Sequence, residues 1–238
     1  MEKIKDNKIS VILCAYNEEK SIENVIFSLA NSNVFDEIIV VNDGSTDNTR
    51  KIIESLKEKF DIIDIHFPKN KGKGYAMATG IEKANAEIIV FCDADLSGLK
   101  KEHFLQLVEP LLDNRADMVL GQPIVNFSID YTYNPLKLLT GERALYKKDI
   151  LPILEKIKTS RFGVETIINL YYKAHKKRVE MVLLSGLKHF IKFEKANRLQ
   201  AMKQYLQAGH QITFTTVNNY GLISKIVKNK FNKILIEN

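Results

Sequence analysis

The chain has few of the residues that mark an unusual architecture. Its 238 residues include only 5 prolines and 11 glycines, which excludes a collagen-like, Pro-rich or low-complexity protein. The longest apolar runs, such as 38–41 and 88–92, have the length of strands. A transmembrane helix needs roughly 20 apolar residues, so we expect none.

Cysteine is also scarce, and no secretion signal is recognisable. The 2 cysteines, Cys14 and Cys92, lie in predicted buried strands. Residues 1–7 are polar and charged, with no apolar signal core behind them. We therefore expect a cytoplasmic protein with free thiols. The hydrophobic fraction of 45% is enough for the core of one large domain or two small ones.

Charge is distributed unevenly along the chain. Residues 171–238 contain 13 Lys and Arg against 3 Asp and Glu, whereas residues 1–170 contain 22 against 26. A basic final segment suits phosphates, anionic lipid or nucleic acid, and an acidic first part suits a metal cation. No recognisable nucleic-acid reading motif accompanies the basic residues, so we expect no nucleic-acid partner.

Hydrophobic periodicity alternates between strand and helix through the first half. The predicted strands are 9–14, 37–42, 61–67, 87–92 and 117–120, and the predicted helices begin at residue 21 and cover 46–60, 74–84 and 101–112. This order predicts an α/β fold with a mostly parallel central sheet and helices on both faces. Ligands of such a sheet bind at the C-terminal ends of the strands.

The second half is predicted to be a mixed α/β portion. Its predicted elements are a loop or flap at 122–141 that shapes the acceptor site, helices at 147–157, 164–176 and 194–206, a strand at 178–184, and an amphipathic helix at 220–235. The lysine-rich last helix would either lie on an anionic membrane surface or pack on its own domain or a second subunit.

Polar segments follow the first two predicted strands. Ala15, Tyr16, Asn17 and Glu18 follow the first, and a run containing Asp43 follows the second. A nucleotide base offers N–H donors and carbonyl acceptors, so Asp43 would accept from a ring N–H while Tyr16 packs on the ring. The alternative is turn chemistry, with Ser45 or Thr46 capping the next helix.

The next two strands are followed by residues suited to a diphosphate and a metal. Lys73 stands between Gly72 and Gly74 before a helix, where backbone and charge favour a phosphate. Asp93 and Asp95 end a strand that is otherwise apolar, and hard oxygen ligands suit Mg²⁺ or Mn²⁺ on a diphosphate. The alternative for the aspartates is a solvated loop with Asp95 capping the following helix.

As a set, the segments A-Y-N-E-E, V-N-D-G-S-T-D, N-K-G-K-G and D-A-D-L resemble the family 2 glycosyltransferases, which have the GT-A fold. The resemblance covers residues 8–121, and more weakly extends to about 195. It implies the following contacts: nucleotide-sugar binding by Ala15, Tyr16, Asn17, Glu18, Asp43, Lys73 and Asp93, and metal binding by Asp93 and Asp95.

Later segments resemble particular members of that family. The segments 141–145, 162–165 and 184–189 are similar to those of polyprenyl-phosphate sugar transferases and glucosyl-phosphoglycerate synthases, and the last implies His189 as a metal ligand. Glu165 is either a catalytic base or a helix cap, Arg143 either binds an anion or makes a surface ion pair, and His189 is either a ligand or structural. Asp95, Glu165 and Arg143 are the predicted catalytic residues.

These features together predict a metal-dependent hexosyltransferase. It would use a nucleotide-diphospho-sugar, with UDP-sugar favoured slightly over GDP-mannose, and a phosphate-bearing or hydroxyl acceptor; inversion or retention is left open. Residues 1–210 would form one catalytic domain, with a donor half at 8–121 and an acceptor half at 122–210, and 211–238 a basic helical segment that permits peripheral membrane contact or a homodimer. The alternatives are a nucleotidyltransferase and a non-catalytic binding module.

Overall fold

The computed structural model describes residues 7–124, 139–160, 163–189, 209 and 213–237. The strands are β1 Ile9–Ala15, β2 Glu37–Asn42, β3 Ile62–His66, β4 Ile88–Asp93, β5 Leu96–Ser97, β6 Met118–Ile124, β7 Arg143–Tyr146, β8 Val179–Ser185 and β9 Lys188–His189. The helices are α1 Ile22–Asn31, α2 Thr49–Lys57, α3 Lys73–Lys83, α4 Lys101–Leu112, α5 Lys147–Ile150, α6 Leu154–Thr159, α7 Val164–Ala174 and α8 Tyr220–Glu237.

Seven strands form the central sheet, in the order β3-β2-β1-β4-β7-β6-β8. All neighbours pair in parallel except β7, which is antiparallel to both β4 and β6. A separate two-stranded ladder joins β5 to β9. The predicted α/β class with a mostly parallel sheet is confirmed.

Both faces of the sheet are covered by helices. Side chains alternate across a strand, so Val11 and Leu13 face the cluster formed with α1, α2 and α4, whereas Ile12 faces the cluster formed with α3, α6 and α7. All three of these β1 side chains are almost completely buried. The near-continuous apolar character of β1 therefore follows from burial on both sides.

Several sequence predictions in the second half need correction. The strand β7 was not predicted, although it lies in the middle of the sheet between β4 and β6. The loop predicted from residue 122 is wrong for 122–124, because β6 continues to Ile124. It passes through Pro123, which a strand tolerates here because the β7 ladder covers only Met118–Leu120 and leaves the edge beside Pro123 unpaired.

The predicted helix 147–157 is two helices rather than one. A 3₁₀ turn at Leu151–Ile153 separates α5 from α6, and Pro152 at its centre has no N–H to continue an α-helix. The predicted helix 194–206 and most of the predicted flap at 122–141 lie outside the described residues. Within the described part of the chain, no helix is both long enough and apolar enough to cross a membrane.

Candidate active site

A cleft of about 480 Å³ lies at the C-terminal ends of β1, β2 and β4. Three parallel strands end side by side there, so the loops that follow them meet at one edge of the sheet. Its lining residues are Cys14, Ala15, Tyr16, Glu18, Asp43, Asn70, Gly72, Lys73, Ala76, Asp93, Ala94 and Asp95. The four polar segments selected from the sequence therefore come together in space.

The loops after β1 and β2 are tied to each other by Asn17. The backbone N–H of Asn17 donates to Ser45 Oγ at 3.0 Å, and the N–H of Thr46 donates to Asn17 Oδ1 at 2.8 Å. Asn17 has a positive φ of 57°, a conformation that asparagine tolerates better than most residues. Ser45 and Thr46 do not cap α2, which begins at Thr49 after Asn48, so the capping part of the turn alternative is wrong.

Asp43 connects the loop after β2 to the start of α3. Its carboxylate oxygens accept hydrogen bonds from the backbone N–H groups of Lys71 at 2.7 Å and Gly72 at 2.9 Å. The side chain is only 3% exposed, yet it also lines the cleft. Asp43 therefore holds the loop that presents Lys73, whereas the contact with a nucleotide base stays a prediction.

Lys73 lies between two carboxylates. Its Nζ is 2.9 Å from Asp93 Oδ1 and 2.8 Å from Glu165 Oε1. Burial disfavours the charged ammonium, but the two carboxylates outweigh this effect and hold the pKa of Lys73 well above its usual value. Lys73 is therefore a permanent cation that joins β4 to α7.

Glu165 lies in the first turn of α7, as predicted. Gly163 occupies the N-cap position, and no side chain caps this helix. The Glu165 carboxylate instead binds Lys73, so the cap alternative is wrong. The helix N-terminus favours this negative charge.

Arg143 lies beneath these charges and is completely buried. Its Nη2 donates to the carbonyl of Thr140 at 2.6 Å, and its Nη1 donates to Asn169 Oδ1 at 3.4 Å. Burial lowers the pKa of Arg143, and the negative charges of Glu165 and Asp93 oppose that shift. The alternative of a surface ion pair is wrong, and the catalytic assignment stays a prediction.

Asp95 follows Asp93 in the turn between β4 and β5. It does not cap α4, because that helix begins at Lys101 and its N-cap residue is Lys100. The β5–β9 ladder places the backbone of His189 opposite Leu96, the residue directly after Asp95. The side chain of His189 lies outside the described part of the structure, so its ligand role stays a prediction.

The carboxylates fit one mode of divalent cation binding. Among the described side chains, no group of three His, Cys, Asp or Glu residues is placed to hold a metal ion by itself. Mg²⁺ is usually held by one or two carboxylates together with substrate phosphates, rather than by a cage made only of protein. Asp93 and Asp95, both at the cleft, suit that shared mode.

Three features of the site were missed from the sequence. Cys14 is a free thiol that lines the cleft, and burial raises its pKa to about 12, which favours the protonated thiol. Asn169 contacts Arg143 from the next turn of α7 after Glu165, a spacing of four that the sequence did contain. Gly141 packs directly on Asp93. This contact could have been predicted only if strand β7 had been recognised in the sequence.

Gly141 leaves no room for a side chain beside Asp93. A Cβ at this position would lie 2.1 Å from Asp93 Oδ2 and 2.2 Å from Oδ1. We expect Gly141→Ala to lower the free energy of unfolding by about 1–3 kcal/mol through overpacking. Denaturant unfolding monitored by circular dichroism would measure it.

Gly221 provides the matched control for that experiment. It lies in α8, and a Cβ there meets nothing within 4 Å. Gly221→Ala is expected to be neutral or to stabilise by up to about 1 kcal/mol, because alanine favours the helix. Equal stability of Gly141→Ala and the wild type would contradict the close approach.

Comparison with known proteins agrees with this architecture. The family model described as "Glycosyl transferase family 2" matches residues 10–169. The chain therefore belongs to glycosyl transferase family 2. The matched range includes every predicted site residue except His189.

Two curated relatives share part of their length with this chain. A UDP-N-acetylglucosamine–dolichyl-phosphate N-acetylglucosaminyltransferase from Methanococcus voltae is 37% identical over 51% of this chain and 54% of its own length. A poly-beta-1,6-N-acetyl-D-glucosamine synthase from Staphylococcus aureus (strain COL) is 27% identical over 68% of this chain and 38% of its own length. The chain thus spans about half of the first relative and less of the second.

Among solved structures, the fold is similar to that of glucosyl-3-phosphoglycerate synthase from Mycobacterium tuberculosis. The complex of that enzyme with Mn²⁺, uridine diphosphate and glucosyl-3-phosphoglycerate has a TM-score of 0.71 and 23% identity, covering 92% of this chain and 82% of that one. A complex with Mg²⁺ and uridine diphosphate has a TM-score of 0.70 at 24% identity. At this level of identity the likeness establishes the GT-A fold alone.

Proposed function

We propose that the chain is a metal-dependent glycosyltransferase. It transfers a hexose from a nucleotide-diphospho-sugar, preferably a UDP-sugar, to a phosphate-bearing acceptor such as a polyprenyl phosphate or phosphoglycerate. The observation that carries the proposal is the charged group at the floor of the cleft, in which Lys73 binds both Asp93 and Glu165 within 3 Å. Family membership supports the same reaction class.

The first two loops form the proposed nucleoside site. Tyr16 is 45% exposed at the cleft, so its ring is available to pack on a base or ribose. Ala15, Glu18 and Asp43 line the same space, and Asn17 holds the two loops together. The uridine preference is supported by names alone, since the M. voltae relative uses UDP-N-acetylglucosamine and the M. tuberculosis enzyme binds uridine diphosphate.

Asp93 and Asp95 form the proposed metal site, with His189 as a further ligand. Mg²⁺ or Mn²⁺ bound there supplies positive charge that stabilises the departing nucleoside diphosphate. The two carboxylates at the end of β4 position that charge, and Asp93 is held in place by Lys73 and by the backbone at Gly141. Strand β4 supports Asp93 through its ladder with β1, which extends to Asp93 itself.

Lys73, Glu165 and Arg143 set the charge around the reacting groups. Lys73 adds a fixed positive charge beside the proposed diphosphate site, and Glu165 orients it. An acceptor phosphate is already an anionic nucleophile, so no general base is required for it. With a hydroxyl acceptor, Glu165 would instead have to release Lys73 and take the proton. Arg143 adds a buried positive charge beneath Asp93 and Glu165.

The remaining sequence predictions belong to the same proposal. Residues 1–210 form the catalytic domain, with 8–121 binding the donor and 122–210 the acceptor. A cytoplasmic location and a homodimer are also proposed. Nucleotidyl transfer and non-catalytic nucleotide binding are the competing functions; the first predicts a different product and the second predicts none.

Thermal unfolding with nucleotides tests the donor site. We expect UDP with Mn²⁺ to raise the midpoint by several degrees, since a ligand at about 100 times its dissociation constant adds about 2.7 kcal/mol. GDP, ADP and TDP are compared with and without Mn²⁺. The absence of a shift with every nucleotide would contradict the proposal.

Turnover then separates the competing functions. UDP release from UDP-glucose or UDP-N-acetylglucosamine that depends on a polyprenyl phosphate or phosphoglycerate acceptor would support transfer. Pyrophosphate release from a nucleoside triphosphate and a sugar phosphate would identify a nucleotidyltransferase instead. Nucleotide binding without either product would identify a binding module.

A further inference from the structure

The last helix uses one face to pack on its own domain. Helix α8 packs against α7, and Asn229 Nδ2 donates to the carbonyl of Ala174 at 3.0 Å. Leu222, Ile223 and Ile226 lie on this side and are partly buried. Among the described residues, Leu222, Ile223 and Ile226 are therefore used for packing within the chain.

A second apolar row lies on the opposite face. Val217 is 64% exposed, Tyr220 78% and Val227 45%. Tyr220, the exposed Ser224 and Val227 follow a spacing of four and three residues, so they form one line along α8. Val217 precedes them in the helical segment 213–218, which a turn at Asn219 separates from α8. We call this row, together with Lys225, Lys228 and Lys230, the C-terminal stripe.

The charge around this row has one sign. Lys225, Lys228 and Lys230 are all exposed. On the helix, positions 225 and 230 lie on opposite flanks of the apolar row, and position 228 lies beside it. No acidic residue occurs anywhere in 209–236. Exposed apolar and aromatic side chains flanked by lysines match an anionic lipid surface, where the row enters the headgroup layer and the lysines meet lipid phosphates.

The stripe also lies close to the proposed active site. Gly163 caps α7 two residues before Glu165, and a Cβ on Gly163 would lie 2.4 Å from Thr215 Oγ1. Thr215 is buried and belongs to the same helical turn as Val217. A surface bound by the stripe would therefore lie across this helical segment from the end of α7 that carries Glu165.

We propose that the C-terminal stripe docks the protein on an anionic lipid bilayer. The positive charge of the lysines favours an anionic bilayer as the binding partner. The exposed apolar side chains favour a bilayer over a partner that is bound by charge alone, such as nucleic acid. The inference goes beyond the proposed function, since lipid binding requires neither donor nor metal. If the acceptor is a lipid phosphate, docking would hold the protein at the membrane that contains it.

Vesicle co-sedimentation of the full chain tests this docking. Wild type is expected to bind vesicles containing about a third phosphatidylglycerol and not phosphatidylcholine alone, with binding weakened at about 1 M salt. Lys225→Gln with Lys228→Gln should weaken binding about 25-fold, at about fivefold per lysine. Val217→Ser with Tyr220→Ser should weaken it about tenfold or more.

Two controls isolate the stripe. Lys51→Gln with Lys83→Gln removes the same charge from exposed positions on α2 and α3 and should bind vesicles nearly as the wild type does. Asp95→Asn should also bind normally, which separates docking from catalysis. The proposal would be overturned if the lysine control lost as much vesicle binding as Lys225→Gln with Lys228→Gln does. It would also be overturned if the wild type did not bind anionic vesicles.

Sedimentation velocity without vesicles tests whether the stripe binds a second copy of the chain instead of a bilayer. Under the docking proposal, the oligomeric state of the wild type and of the two stripe variants is the same. A dimer that dissociates in both stripe variants would assign the stripe to self-association instead. Binding of the wild type to RNA but not to anionic vesicles would likewise overturn a lipid partner.

Discussion

Asp95→Asn is expected to lower the rate of sugar transfer about 1,000-fold. The substitution keeps the shape of the side chain but removes one of the two carboxylates proposed to hold the metal on the diphosphate. Asp95 lies in the turn directly after β4 and lines the cleft. Acceptor-dependent UDP release, measured at saturating donor, gives the loss in kcat.

The fold of this variant should be unaffected. Asp95 is partly exposed and lies outside both hydrophobic clusters, so we expect the thermal midpoint to stay within about 2 °C of the wild type. The control is Asp61→Asn, which makes the same change at an exposed position before β3. A variant that retains more than about a tenth of the wild-type rate would contradict the metal assignment.

Lys73→Met should affect both stability and activity. It removes the ammonium that binds Asp93 and Glu165 and leaves the two carboxylates facing each other. Breaking a fully buried pair costs about 3–5 kcal/mol and breaking an exposed one less than about 1 kcal/mol. The Lys73 side chain is 34% exposed, so we expect a loss of about 2 kcal/mol and a midpoint lower by about 4–8 °C.

The stability loss should be independent of pH between about pH 6 and pH 9. A raised pKa means that the contribution of Lys73 is complete below its unfolded-state value of 10.5 and is lost only as the pH rises through the higher folded value. Denaturant unfolding at three pH values measures it. Lys69→Met, at an exposed position in the same loop, is the matched control and should change stability little.

A double-mutant cycle shows whether the charges act as a pair. Asp93→Asn in the Lys73→Met background removes one of the two carboxylates left without their cation, so it should recover part of the lost stability. If the stability losses of the two single variants simply add in the double variant, Lys73 stabilises the fold by a route other than its pairing with Asp93. Transfer should be lost in all three variants.

The first half of the site was predictable because it depends on local order along the chain. Asp43, Lys73 and Asp93 each follow a strand with a clear apolar pattern, and parallel strands place their C-terminal ends at one edge. The direction and order of the first four strands therefore brought the predicted residues together. Their hydrogen-bond roles were not predictable, since Asp43 binds backbone N–H groups 28 and 29 residues away.

The second half was harder to predict because its elements are short and paired over long distances. Strand β7 has four residues, too few for a period to be recognised, yet it lies at the middle of the sheet and carries Arg143. Without it, the sequence left Arg143 open between anion binding and a surface ion pair. Its complete burial beneath Asp93 and Glu165 depends on β4 and β6 closing on both sides.

The sequence by itself determined the α/β class, the edge of the sheet that carries the site, and the family to which the chain belongs. The tertiary structure alone decided which groups are paired. It joined Lys73 to Glu165 across 92 positions of the chain and turned one side of α8 inward, leaving the C-terminal stripe outward. The physical reason is that periodicity records which side chains are buried, whereas the partner of a buried charge depends on how distant elements pack.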